Sequence, residues 1–137
     1  MRSVYNNVLP VIALTSASRT ANSAVNGTEV DLAVYNNNFR SVSFVVTTGT
    51  ITDGAVVFKI QETDTTGTGY TDVPSDHLLG SAPTTASTDD DKVFHFGFIP
   101  TKRFCRIVAT QSGATSGGIY SAVALLSAGS NVPPQRS

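Results

Sequence analysis

Ten acidic side chains, two histidines, one cysteine and a run of serines carry the chemistry open to this chain. Asp89-Asp90-Asp91 is its densest carboxylate group, and clustered carboxylate oxygens are what a hard cation takes. A calcium loop also needs a turn glycine and a distal glutamate, and neither stands at the right spacing, so the run reads as a solvated loop. Glu62, Asp64 and Asp72 flank a Thr/Gly stretch and are a second cation candidate. Thr65-Thr66-Gly67 between them reads first as turn chemistry. His77, His95 and Cys105 show no zinc-ligand spacing. Nucleophilic catalysis needs a Ser or Cys beside a His. No serine here stands in a Gly-x-Ser-x-Gly elbow. Cys105, between Phe104 and Arg106, reads as a core thiol. Gly113 to Gly118 lacks the lysine of a phosphate-binding loop. Paired carboxylates for glycoside hydrolysis stay open, but with no Trp and four Tyr a sugar platform is poorly equipped. The expectation is a protein that is not an enzyme and holds no cofactor or metal.

Lys102, Arg103 and Arg106 are the one cluster of cations. Two readings stay open for them: pairing with acidic loops of a neighbouring subunit, or a solvated strand edge with aliphatic stems on the sheet. The formal net charge is −1 and charged residues are 14% of the chain. A nucleic-acid binder usually carries a basic face, so no direct nucleic-acid contact is expected. No apolar run reaches the roughly 20 residues of a membrane helix, and no signal-peptide pattern opens the chain. Low charge favours association, which points to a surface that lies against other protein. One cysteine allows no internal disulfide, so folding rests on packing.

The elements that would position these residues are strands. Ser41–Thr47, Ala55–Gln61 and Lys92–Phe98 alternate apolar residues at every second position, the period of a half-buried strand. Glu29–Tyr35 alternates too, with Val30, Leu32 and Val34 on one face. Thr52-Asp53-Gly54 between two apolar runs reads as a hairpin turn. Pro10 confines the first apolar segment to an edge strand or arm. Thr15–Asn26 reads as a long loop and Ser81–Asp91 as the most disordered stretch. Arg103–Thr110 is a strand, and Ile119–Ser127, apolar on both faces except Ser121, reads as a central one. His95 falls opposite Phe94, Phe96 and Phe98, hence outward. The 137 residues fit an N-terminal arm or edge strand over 1–14, one domain over 15–127 and a tail over 128–137. The fold class expected is all-β: an antiparallel, jelly-roll-like β-sandwich of about eight strands with extended terminal arms.

Gly49-Thr50-Ile51-Thr52-Asp53-Gly54, Lys59–Asp64 and Tyr70-Thr71-Asp72-Val73 resemble a group of small tailed-phage and prophage virion structural proteins. So do Leu78-Leu79-Gly80, Phe98–Arg106 and Ser112–Tyr120, and the resemblance spans roughly residues 8 to 127. Such proteins are encoded near the major capsid protein, and the likeness implies a virion component with a sandwich fold. The type expected is a capsid cement, or decoration, protein on the capsid surface, assembled in the host bacterial cytoplasm. Its expected partners are the major capsid protein and further copies of itself, as a trimer. Val8, Leu9 and Pro10 in the first arm, Lys102, Arg103 and Arg106, and Pro133 and Pro134 in the tail are the candidate partner contacts. Two other readings stand beside this one. A receptor- or carbohydrate-binding module of a tail or fibre would use the loops Thr63–Gly69 and Ser81–Asp91. A head–tail connector or tail-tube subunit would sit in a ring.

Overall fold

A computed structural model of the chain describes residues 3–34 and 37–129. After one helical turn, α1 (Val4–Asn7), the chain runs through β1 (Leu9–Arg19), β2 (Ala24–Asn26), β3 (Val30–Asp31), β4 (Ser41–Ile51), β5 (Ala55–Thr63) and β6 (Thr71–Asp72). It continues through β7 (Leu78–Leu79), β8 (Thr84–Thr85), β9 (Val93–Phe98), β10 (Phe104–Ser112) and β11 (Gly118–Ser127). Two antiparallel sheets form. One has the order β1-β11-β4-β9-β7; the other has β2-β10-β5-β6, with β3 on β10 and β8 on β5. With β3, β7 and β8 set aside, the eight others, the two-residue β6 included, take the alternating order of a jelly roll. The expected fold is therefore present, with eleven strands among the described residues.

The core is built by the period-2 alternation. Val42, Phe44 and Val46 of β4, Phe96 and Phe98 of β9, and Tyr120, Ala122, Ala124 and Leu126 of β11 face inward. Val56, Phe58 and Ile60 of β5 and Cys105, Ile107 and Ala109 of β10 meet them from the other sheet. Phe44 lies between Phe96 and Phe98, with ring centroids 6.0 and 6.4 Å away, and Phe58 meets Tyr120 edge-on at 6.0 Å. Each such ring stabilises the fold by about 1.5–3 kcal/mol through burial. Gln111 and Glu62 are among the buried polar side chains, and both have partners. Tyr120 donates to Gln111, whose amide donates to the carbonyls of Arg19 and Ala21. Glu62 accepts from the backbone and hydroxyl of Thr101.

Several expectations change. Asp53-Gly54 turns the chain, with Gly54 at φ +86°, but β4 and β5 lie in different sheets, so the turn is a corner and not a hairpin. The physical cause is Asp53, whose carboxylate accepts the N–H groups of Thr115, Ser116 and Gly117 across the sandwich edge. Thr15–Arg19, expected as loop, continues β1 through two register shifts against β11. Arg19 holds that segment by donating to the carbonyls of Thr15, Ala17 and Tyr120. Gly117 lets β1 pass so close that a Cβ there would stand 1.7 Å from the Arg19 carbonyl oxygen. The strand expected over Glu29–Tyr35 stops at Asp31, because the Asp31 carboxylate takes the Ala33 N–H and turns the backbone. Tyr35 itself lies outside the described residues. Ser81–Asp91 is tied down at both ends: Thr84–Thr85 pair with β5, and Asp90 accepts the Ile51 N–H at 2.8 Å.

Candidate functional site

The outward residues of the five-stranded sheet follow from its register. Pro10, Leu125, Ser43, Gly97 and Leu79 form one row across five strands. Ile12, Val123, Val45 and His95 form the next, and Ser121, Thr47 and Val93 a third. Ile119 extends the face beside Ser18. No Lys, Arg, Asp or Glu stands in these rows, and His95 is their one titratable side chain. Val93 is 67% exposed, Ile12 and Leu79 51%, and Ile119 40%. Val45, Val123 and Leu125 are half-buried. No described element covers them, although β11 is central in its sheet.

At one corner the face deepens into an apolar groove of about 450 Å³ lined by Val4, Tyr5, Val8, Leu9, Pro10 and Leu125. Local sequence explains the groove. Ser3 caps α1, accepting the Asn6 N–H through its hydroxyl and the Asn7 amide through its carbonyl. Pro10 carries no N–H and sits on the edge strand, where none is needed. Val4 and Tyr5 stay exposed at the rim, at 77% and 71%.

The expected contact residues divide between two places. Val8, Leu9 and Pro10 meet in the apolar groove, with Leu9 buried at its floor as part of the core. Lys102, Arg103 and Arg106 are not brought to that face. Arg103 forms a two-point ion pair with Asp31, at 2.9 and 3.0 Å, and its guanidinium lies over the Phe104 ring. Hydrogen bonding from Arg103 holds the Asp31 carboxyl below its ordinary range. Arg106 lies 3.9 Å over the Tyr70 ring and donates twice to Gln61. Pro133 and Pro134 lie outside the described residues.

The face that the sequence reading missed is made of Ile12, Val45, Val93, Val123, Ile119 and Leu79. Its signal was present in Ile119–Ser127, where both faces are apolar. That pattern reads as a central strand, and β11 does lie between β1 and β4; one of its two apolar faces is turned away from the core.

The other candidate groups have structural partners. Glu62 is held by Thr101, Asp64 accepts the Arg103 N–H, and Asp72 binds Gln61 and Lys59, so the three do not converge. Asp89 pairs with Lys92 at 2.9 Å. Among the described residues no three His, Cys, Asp or Glu side chains stand together as a metal site. Cys105 is fully buried, and burial first, then the nearby Glu62 charge, push its thiol up to about 12. That thiol has no nucleophilic character at neutral pH. Tyr70, the aromatic of the Thr/Gly loop, has one ring face covered by Arg106, and its hydroxyl donates to Glu29. Glu29 also accepts from Thr66 and Gly67, so this loop is closed on itself.

No family model matches the chain, and no curated protein matches it. Among solved structures, the chain is similar to the SPBc2 prophage-derived protein YomS at 16% identity and a TM-score of 0.43, over 86% of this chain and 94% of that one.

Proposed function

We propose that this chain is a phage virion structural protein of the capsid-cement type, which lays the outer face of its five-stranded sheet against the major capsid protein lattice. The observation that supports this is the face itself: its register rows are mostly apolar and free of Lys, Arg, Asp and Glu, with Val93, Ile12, Leu79 and Ile119 exposed. Exposed apolar surface of this extent marks a protein contact more often than solvent-facing surface. The sequence resemblance to small virion proteins points the same way. The mechanism is area and multiplicity. Each copy removes apolar surface from water on the lattice, and many weak contacts add across the particle. The N-terminal turn and its groove extend the contact at one corner. The role needs no catalytic group: Glu62, Asp64, Asp72 and Asp89 have partners within the chain, and the Cys105 thiol is buried.

The test is the copy number of this chain per virion, relative to the major capsid protein, by quantitative mass spectrometry. A number comparable to the capsid subunit is expected. A handful of copies would move the protein to the portal or tail, and absence from the particle would overturn the virion reading.

A further inference from the structure

Among the described residues, the cations without a partner lie at one end of the sandwich, where Asp76 sits on the turn whose His77 carbonyl takes the Ile99 N–H, and the Asp90-Asp91 carboxylates lie at the other. At the end where β4 begins, a groove of about 610 Å³ opens between the β3–β4 connection and the β9–β10 corner. Leu32, Phe39, Arg40, Ile99, Lys102 and Arg103 are among its walls. Arg103 is taken by Asp31, but among the described residues Arg40 and Lys102 have neither a hydrogen bond nor an ion pair within the chain. Asp64, the acidic residue in the wall, already receives the Arg103 N–H. The groove is thus a mixed apolar and cationic recess with two uncommitted positive charges.

The Asp89–Asp91 loop lies at the other end of β4. Asp90 binds the Ile51 N–H, and the Asp91 N–H donates to the Gly49 carbonyl. The eleven residues of β4 separate the two sites by roughly 30 Å. Asp91 is exposed, sits at φ +52°, and its carboxylate has no partner among the described residues. Asp90 is exposed beside it with one oxygen uncommitted. Asp76, also unpaired, lies on the Ser75–His77 turn and does not line the groove.

We infer that the Asp90-Asp91 tip of one copy docks in the Arg40–Lys102 groove of a second copy, a head-to-tail contact between copies of this chain. The occupant follows from charge: the uncommitted cations and the Asp90-Asp91 carboxylates are opposite in sign and sit at opposite ends of one small domain. Such a contact is heterologous, so copies add in rows and do not close as an isologous pair. It uses neither the apolar face nor its groove and stands independently of the capsid reading.

The test is sedimentation velocity of the full chain at rising concentration, in about 20 mM and about 1 M salt, since screening shortens the reach of exposed charges. The wild-type chain is expected to associate with concentration in low salt and to sediment as a monomer in high salt. The groove reversal Arg40→Glu/Lys102→Glu and the loop reversal Asp91→Lys should each be monomeric. An equimolar mixture of the two reversals should associate again, because each then offers the other an opposite charge at both ends. Asp91→Asn keeps a residue that tolerates positive φ and should weaken association by about tenfold. Circular dichroism checks that each variant is folded. A monomeric wild type in low salt, association that survives either reversal, or a mixture that stays monomeric would each overturn the inference.

Discussion

The two sheets of this sandwich share one core and present opposite outer surfaces. The outer side of the six-stranded sheet is a connected polar network. Arg106 stacks on Tyr70 and binds Gln61, Gln61 binds Asp72, Lys59 pairs with Asp72, and Tyr70 binds Glu29. Every charge there is answered within the chain. The outer side of the five-stranded sheet offers valine, leucine, isoleucine, serine and threonine, with a single histidine. Its one side-chain hydrogen bond between strands is Thr47 to Ser121, at 2.8 Å. A face that satisfies itself in water has little to gain from a partner. A face of half-covered valines gains by being covered. The difference separates a side whose polar groups answer one another from the side we propose for contact.

The sharpest way to break this contrast is to charge the apolar side. Val45→Asp combined with Val123→Asp places two carboxylates in the middle of that face. Attachment to capsid shells should fall about 100-fold or more, since a desolvated, unpaired charge costs several kcal/mol at an interface. The thermal midpoint should fall modestly, since the two carboxylates stand directly opposite each other in the β4–β11 register, and circular dichroism checks that the variant stays folded. Retained attachment would show that the lattice contact lies elsewhere.

The converse change is Arg106→Ala on the polar side. It removes the stacking on Tyr70 and two hydrogen bonds to Gln61, at about 1–2 kcal/mol of stability. Denaturant titration should show that loss, and attachment to shells should be unchanged. A loss of attachment with stability intact would reverse the assignment of the two faces.

Acid should act on the polar side first. Hydrogen bonds from Thr66 and Tyr70 lower the pKa of Glu29, those from Arg103 lower that of Asp31, and those from Gln61 and Lys59 lower that of Asp72. A carboxyl whose folded pKa is depressed contributes stability above its unfolded value of about 4 and loses it as pH falls through the folded value. Stability should therefore be level above about pH 5 and decline below it, as read by denaturant midpoints across pH. A decline that begins near neutrality would implicate groups outside this network.

The smallest effect concerns Thr85, which is 1% exposed and whose hydroxyl finds no partner. Thr85→Val removes that unsatisfied group at nearly constant shape. Stability should rise by about 1 kcal/mol with attachment unchanged. A fall would indicate that a bound water satisfies the hydroxyl.

Much of this architecture was legible before any coordinates, and the reason is periodicity. β4, β5 and β9 announce themselves by period-2 alternation, because one side of each strand meets the core and the other meets solvent or a network. Pro10 marks an edge because it lacks a donor. Three things were hidden. Asp53-Gly54 has hairpin chemistry, but whether a turn folds back or rounds a corner depends on Asp53 reaching Thr115–Gly117, more than sixty residues away. Thr15–Arg19 has no apolar alternation; its ladder with β11 and the carbonyls that Arg19 collects keep it in the sheet. The apolar face was hidden because sequence alone does not distinguish a strand buried on both sides from one waiting for a partner. Val8, Leu9 and Pro10 reached the site by reasoning about a proline-containing segment. Val45 and Val93 fall on the outward side of half-buried strands and Val123 within the apolar Ile119–Ser127 run, and none of the three was singled out.

Hydroxyl-radical footprinting of the chain, free in solution and bound to capsid shells, compares both faces in one experiment. The expected result is protection on binding at Tyr5, Ile12, Leu79 and Leu125, with Lys59, Gln61 and Tyr70 unchanged. Protection of the second set with the first still reactive would contradict the assignment of the apolar sheet face as the surface that binds.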